Sequence, residues 1–214
     1  MKKALSLLLS MILLFGFFPI AKVGANSIPV HLYNDYKNNE YWSEHMIWSI
    51  EEGLIKGYIN QKHPTTGAVG NWLNPYGTLT EYQFLTIIFR YMYPQEFNST
   101  KPTTNFFASV PYQMAKKYNL PTKGSLQNTA PASKAISRGT MAQIFATLHF
   151  NTKVSEREAI QWMYDIGLST GYADASGKYP KTYESFRPSE ELKRAQIVSF
   201  VKRYDDEFLT IVIK

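Results

Sequence analysis

Two arginines and one glutamate occupy matching positions in three similar stretches of the sequence, and their placement suggests binding chemistry. Arg138 and Arg194 each follow a predicted helix cap, and Glu81 takes this place in the first stretch. We name the three places the Glu81, Arg138 and Arg194 entrances. An arginine there opposes the helix dipole at a cost of about 0.3–1 kcal/mol, but with free backbone N–H groups it could hold a carboxylate. The alternative is that both arginines pair with acids such as Glu190 or Glu191.

The residues beside these positions predict the starts of helices. Thr80 and Gln83 match a capping box, in which a hydroxyl and an amide satisfy backbone donors reciprocally. Ser137 keeps only the capping hydroxyl, and Gln196 keeps only the return partner. Each entrance is therefore expected to open a helix.

The segments that follow the entrances carry one apolar pattern. Phe84, Ile87, Ile88 and Tyr91 are spaced as one stripe on a helix, and the same frame recurs within 141–148 and 197–204. Three such stripes are expected to face one another in a central three-helix bundle. A shorter helix precedes each one in the sequence, predicted at 41–52 and near 111–118 in the first two copies, with a long irregular loop between.

The repetition sets the predicted fold and its boundaries. Residues 162–172 echo residues 48–58, and a more divergent copy lies midway between them. The sequence predicts a mainly α fold, with three helix-loop-helix repeats in a pseudo-threefold arrangement around the bundle. The predicted segments are a signal peptide at 1–25, a first repeat at 26–94, a divergent second repeat at 95–152, and a third repeat with a short C-terminal tail at 153–214.

The N-terminus and the composition favour export. Two lysines precede an apolar run that ends in small residues, which is typical of a cleaved signal peptide; a retained anchor is the alternative, although the run is short for a bilayer. Cleavage would remove 3 of the 23 basic residues, against 17 acidic residues in all, so the remaining charge is too mild to indicate nucleic acid. The absence of cysteine excludes disulfides and thiolate metal sites. We expect no membrane span after cleavage.

Several motifs together resemble the S-layer homology domain over about residues 31–210. The motifs are an aromatic-x-Asp opening at 33–35, Gly-Leu-x-x-Gly-Tyr at 53–58 and 167–172, loop ends at 73–75 and 186–188, and the arginine-bearing entrances at 136–138 and 192–194. The resemblance implies three repeats that bind secondary cell-wall polysaccharide linked to peptidoglycan. The protein would thus be secreted and held non-covalently at the cell wall of a Gram-positive bacterium.

The resemblance also implies which residues bind the polymer. The carboxylate of a pyruvylated sugar would meet Arg138 and Arg194, while Glu81 would repel it and leave the first site altered or inactive. The matching motif positions add Asp35, Gly57 and Gly171 as ligand-binding candidates. Trp42, which has no counterpart in the other copies, is a further candidate for exposed stacking on sugars, as is Trp72.

Other functions find less support in the sequence. The four histidines lack metal-ligand spacing, and no Gly-x-Ser-x-Gly motif or phosphate loop occurs, so we expect no enzyme, no catalytic residue, no metal and no cofactor. The main alternative is a protein-interaction or accessory role in surface-layer assembly, with surface-layer proteins as partners and the apolar end of the chain, 209–214, as a contact surface. A wall-modifying hydrolase ranks third.

Overall fold

The computed structural model describes residues 28–212, so the predicted signal peptide lies outside the described residues, as do the side chains after residue 207. The described fold is mainly α, as predicted, with one small sheet. Its helices and strands are α1 (Ser43–Glu51), β1 (Tyr58–Lys62), β2 (Val69–Trp72), α2 (Glu81–Met92), α3 (Pro94–Ser99), α4 (Ser109–Lys117), α5 (Arg138–Phe150), α6 (Glu156–Asp165), α7 (Tyr183–Phe186) and α8 (Arg194–Val212). Within residues 28–212 no helix combines the length and the apolar character needed to cross a bilayer.

The predicted second helices are all present, because the apolar stripes that define them are buried. Phe84, Met141 and Ile197 are fully buried, and they belong to one continuous core. The stripes also meet near their far ends, where the ring of Tyr204 lies 4.9 Å from Phe145 and 6.0 Å from Tyr91.

One local prediction was wrong. The loop after α1 was expected to be irregular, but β1 and β2 form an antiparallel pair, with an irregular register between Tyr58 and Gln61. The segment after α2 is helical as well, and Pro94 starts α3, because its fixed φ and missing N–H suit the first helical position.

The helices pack across the predicted repeat boundaries. Helix α2 packs on α4, α5 packs on α6, and α8 packs on α1. Each long helix thus lies against the shorter helix of another predicted repeat, and the long helix nearest the C-terminus returns to the first one.

The segments just before α2, α5 and α8 are joined by a closed ring of backbone hydrogen bonds. Leu79 donates to Leu192 at 2.9 Å, Leu192 donates to Ile136 at 2.9 Å, and Ile136 donates to Leu79 at 3.0 Å. All three side chains are buried. The ring brings the three entrances together and fixes where each helix begins.

Candidate functional site at the helix entrances

At the Arg194 entrance the guanidinium is an internal clamp. Arg194 is 5% exposed, and its Nε donates to the Leu73 carbonyl at 2.8 Å while an Nη donates to the Lys56 carbonyl at 2.9 Å. The Tyr58 ring lies 5.3 Å away. Burial lowers the pKa of Arg194, although nearby tyrosines and a carboxylate oppose this shift. The side chain therefore joins the start of α8 to the loop around β1 and β2.

Asp35 holds the same loop from the other side. Its two carboxylate oxygens accept hydrogen bonds from the backbone N–H groups of Leu73, at 2.8 Å, and Asn74, at 2.7 Å. These bonds fix the peptide whose carbonyl receives Arg194. The geometry gives Asp35 a positioning role in the loop, and its oxygens already have donors.

At the Arg138 entrance the guanidinium has unused donors. Arg138 is 3% exposed, and its Nε donates to the Phe186 carbonyl at 2.8 Å. The guanidinium carbon lies 4.6 Å from the centre of the Phe186 ring, 5.2 Å from Tyr172 and 5.6 Å from Phe200. Within residues 28–212 no acceptor engages its two Nη atoms. Burial also lowers the pKa of Arg138.

The backbone donors at both arginine entrances are already occupied, contrary to the prediction of a free helix start. The N–H groups of Arg138 and Gly139 donate to loop carbonyls at 2.8 Å each. Those of Arg194 and Ala195 do the same at 3.0 and 2.8 Å. An anion at either place would have to be held by side chains rather than by the helix end.

The alternative of ion pairing is also wrong for these arginines. Each guanidinium donates to backbone carbonyls, and the carboxylate of Glu190 instead pairs with Arg187 at 3.1 Å. Sequence spacing could not separate these outcomes, because a carbonyl acceptor depends on how the loop is folded.

The exposed Tyr41 and the half-buried Tyr172 and Arg203 surround the buried Arg138 guanidinium. Tyr41 is 54% exposed. Partial burial of its hydroxyl, with Tyr76 and Tyr172 close by, raises the pKa of Tyr41 to about 12. The positive charges of Arg138 and Arg203 oppose this shift. We name Tyr41, Tyr172, Arg138 and Arg203 the tyrosine–arginine surface.

Arg187 extends this surface. Its guanidinium carbon lies 4.0 Å from the centre of the Tyr172 ring, and its side chain is 47% exposed. Tyr172 and Arg187 lie within the motif segments 167–172 and 186–188, but the motifs predict no role for either residue. Nothing in their sequence positions indicated that both side chains would lie near Arg138, because that proximity depends on how the loops fold.

The Glu81 entrance has the opposite polarity. Glu81 is 3% exposed, and its carboxylate accepts from the Tyr112 hydroxyl at 2.6 Å, the Lys123 N–H at 2.9 Å and the Gly124 N–H at 2.8 Å. Its own N–H donates to the Lys134 carbonyl at 3.0 Å. The acid thus clamps a loop through backbone donors, where the arginines use backbone acceptors.

The two glycine candidates allow a tyrosine to approach the backbone closely. A Cβ on Gly57 would lie 2.2 Å from the Tyr33 ring, and one on Gly171 would lie 2.7 Å from the Tyr164 hydroxyl. Gly171 also has a φ of +73°, which side chains disfavour. Both glycines therefore shape the loops that receive the entrances.

Trp42 was wrongly predicted to be exposed for stacking. It is fully buried, its Nε1 donates to the Tyr76 hydroxyl at 3.2 Å, and Tyr36 packs edge-on against it. Trp72 is half-buried and donates to the Gln61 carbonyl at 3.2 Å. Neither tryptophan offers a free ring face comparable to that of Tyr41.

No cluster of three or more potential metal ligands occurs within the described part of the chain. Searches against protein-family models, curated proteins and solved structures find no match to this chain.

Proposed function

We propose that the chain consists of three S-layer homology units in a pseudo-threefold arrangement, and that it holds itself non-covalently on a Gram-positive cell wall by binding pyruvylated secondary cell-wall polysaccharide. The closed ring of Leu79, Ile136 and Leu192 supports this arrangement. The cross-packing of α2 on α4, α5 on α6 and α8 on α1 supports it further. In this proposal α2, α5 and α8 are the central bundle, and the protein is a secreted, non-catalytic binding module.

The observation that carries the binding proposal is the unused end of the Arg138 guanidinium beside exposed tyrosine. Within residues 28–212 the Arg138 guanidinium donates a hydrogen bond through its Nε alone. Its two Nη atoms can therefore bind a carboxylate in the bidentate manner that guanidinium favours. Tyr41 offers an exposed ring of the kind that packs on sugars. Arg187 and Arg203 add positive charge to the tyrosine–arginine surface.

Arg194 receives a different role in this proposal. Two of its nitrogens already donate to carbonyls, at Leu73 and Lys56. We therefore assign polymer affinity mainly to the Arg138 entrance and treat Arg194 as structural. The two arginines occupy matching positions in the sequence but have different roles in this proposal.

The test uses the exported chain and purified walls. We expect strong retention on walls with pyruvylated polymer and much weaker retention on walls that lack the pyruvyl group. Replacing the exposed Tyr41 by Ala should weaken retention by about tenfold, the loss expected for roughly 1.5 kcal/mol of stacking. Tyr179→Ala is the matched control, since Tyr179 is 58% exposed and lies outside the tyrosine–arginine surface. Equal retention on both walls would refute the carboxylate hypothesis.

A role in protein interaction or surface-layer assembly is the second candidate, and one exposed aromatic cluster favours it. Phe107 is 66% exposed, and its ring lies 4.8 Å from Tyr82 and 4.7 Å from Phe106. A surface-layer partner could bury this ring. Binding of purified surface-layer protein that is lost in Phe107→Ser, with wall retention unchanged, would support this candidate over the first.

A further inference from the structure

Helix α1 contacts α8 through a hydrogen bond between His45 and Ser199. His45 is half-buried on α1, and its Nδ1 lies 2.9 Å from the Oγ of Ser199 on α8. The two helices pack directly on each other, and they belong to the first and the third predicted repeat. A titratable ring therefore lies inside a contact that joins two repeats.

The direction of this hydrogen bond follows from a second contact of Ser199. Its buried hydroxyl donates to the Ala195 carbonyl at 3.0 Å, one turn earlier in α8. A serine hydroxyl has a single hydrogen, so the Oγ accepts from His45, and Nδ1 of the neutral ring carries the hydrogen. The second proton must then bind at Nε2. Protonation leaves the hydrogen bond in place, so its cost is electrostatic.

Charged side chains from both helices act on the His45 ring. Those on α8 are Lys202, Arg203 and Asp206, and the one on α1 is Glu44. Partial burial, followed by the positive charges of Arg203 and Lys202, lowers the pKa of His45. The two carboxylates oppose this shift without reversing it. The contact thus favours the neutral ring.

The stability of this contact depends on pH with a definite sign. A histidine whose pKa is lower in the folded chain than in the unfolded chain binds its proton more readily after unfolding. The stability associated with neutral His45 is therefore complete above the ordinary pKa of about 6.5, and it decreases as the pH falls below this value.

We propose that His45 is a proton-sensitive latch between α1 and α8. The neutral ring holds α1 on α8, and protonation weakens the contact because a half-buried cation then meets the positive charges of Arg203 and Lys202. Since this helix pair connects two predicted repeats, acid should lower the stability of the whole chain. The inference goes beyond the proposed function, because the latch operates whatever the chain binds.

The experiment follows the His45 ring protons of the purified chain by NMR from about pH 8 to about pH 5, together with thermal melting at both ends of this range. We expect the ring to titrate below about pH 6.5. The variant H45N keeps an N–H donor near the position of Nδ1 and removes the titrating group. On acidification the wild-type melting temperature should fall by about 2–4 °C more than that of H45N.

The matched control is H31N, which removes an exposed histidine outside this contact and should keep the pH dependence of the wild type. The latch is refuted if the His45 ring titrates at or above about pH 6.5, if the wild type and H45N lose the same amount, or if H31N removes the pH dependence instead. The ring titration uses the wild type, so it decides the question even if H45N fails to fold. Wall retention is measured separately, so a failure of the proposed function leaves this test unaffected.

Discussion

The Glu81 and Arg194 entrances place opposite charges at one backbone position, and both charges do the same mechanical task. Glu81 accepts from two loop N–H groups and a hydroxyl, whereas Arg194 donates to two loop carbonyls. Both side chains are at most 5% exposed. The buried charge is therefore negative where the facing loop presents N–H groups and positive where it presents C=O groups.

Arginine can occupy the unfavourable end of the helix dipole because its hydrogen bonds to the facing loop contribute more than the dipole costs. The dipole term is about 0.3–1 kcal/mol, while each hydrogen bond to a charged group contributes about 1.5–3 kcal/mol. Two carbonyl acceptors at Arg194 therefore outweigh the dipole. At Glu81 the dipole and the loop donors act in the same direction.

Reversing the charge at the Glu81 entrance should have the largest effect on stability. Glu81→Arg would point a guanidinium at the Lys123 and Gly124 N–H groups, donors against donors in a buried place. We expect the free energy of unfolding to fall by about 3–5 kcal/mol, the range for an uncompensated buried charge. Denaturation with guanidinium chloride measures this loss of stability. Glu81→Gln keeps an acceptor oxygen and should cost clearly less; equal losses in both variants would contradict the polarity argument.

Removing the clamp at the Arg194 entrance should have the next largest effect on stability. Arg194→Ala leaves the Leu73 and Lys56 carbonyls without their donor, and unsatisfied buried groups cost about 1–3 kcal/mol each. We expect a loss of about 2–4 kcal/mol in the free energy of unfolding, measured by urea denaturation. Arg157→Ala is the control, because Arg157 is exposed and, among the described residues, its guanidinium contacts the Tyr183 ring without an ion pair. If both variants lose less than about 1 kcal/mol, Arg194 is no clamp.

The smallest expected effect is the loss of stability when one tyrosine hydroxyl is removed at the Glu81 entrance or at the Arg194 entrance. Tyr112→Phe removes the 2.6 Å bond to Glu81 and should cost about 1.5–3 kcal/mol. Tyr33→Phe is its counterpart beside Arg194, where no acceptor within residues 28–212 receives the Tyr33 hydroxyl, so thermal melting should barely change. A melting temperature that falls equally in both variants would mean that the hydroxyl at Glu81 contributes nothing specific.

The helices were predictable because their signal is local. The stripe of Phe84, Ile87 and Ile88 repeats at helical spacing, and that spacing alone predicts a buried face. The β1–β2 pair was missed because none of its residues is buried and its apolar residues do not alternate with polar ones, so it lacks the pattern that marks a half-buried strand.

The candidate site was only partly predictable because its contacts are tertiary. The sequence singled out Arg138 and Arg194 but could not tell which backbone group, N–H or C=O, each facing loop would present. Trp42 was assigned to the surface since its burial depends on Tyr36 and Tyr76, which lie on other segments. Tyr41 stands next to Trp42 in the sequence, yet the fold buries one ring and exposes the other.

The ring of Leu79, Ile136 and Leu192 has a consequence for how the molecule can be lost or shortened. Each of the three residues donates one backbone hydrogen bond and accepts another, so deleting any one unit removes two of the three hydrogen bonds in the ring. Closing the ring also requires that segments far apart in the chain meet, which makes the last contact slow to form and the assembly cooperative. Unfolding should then be all-or-none: a proteolytic cut that removes one unit should also destabilise the other two.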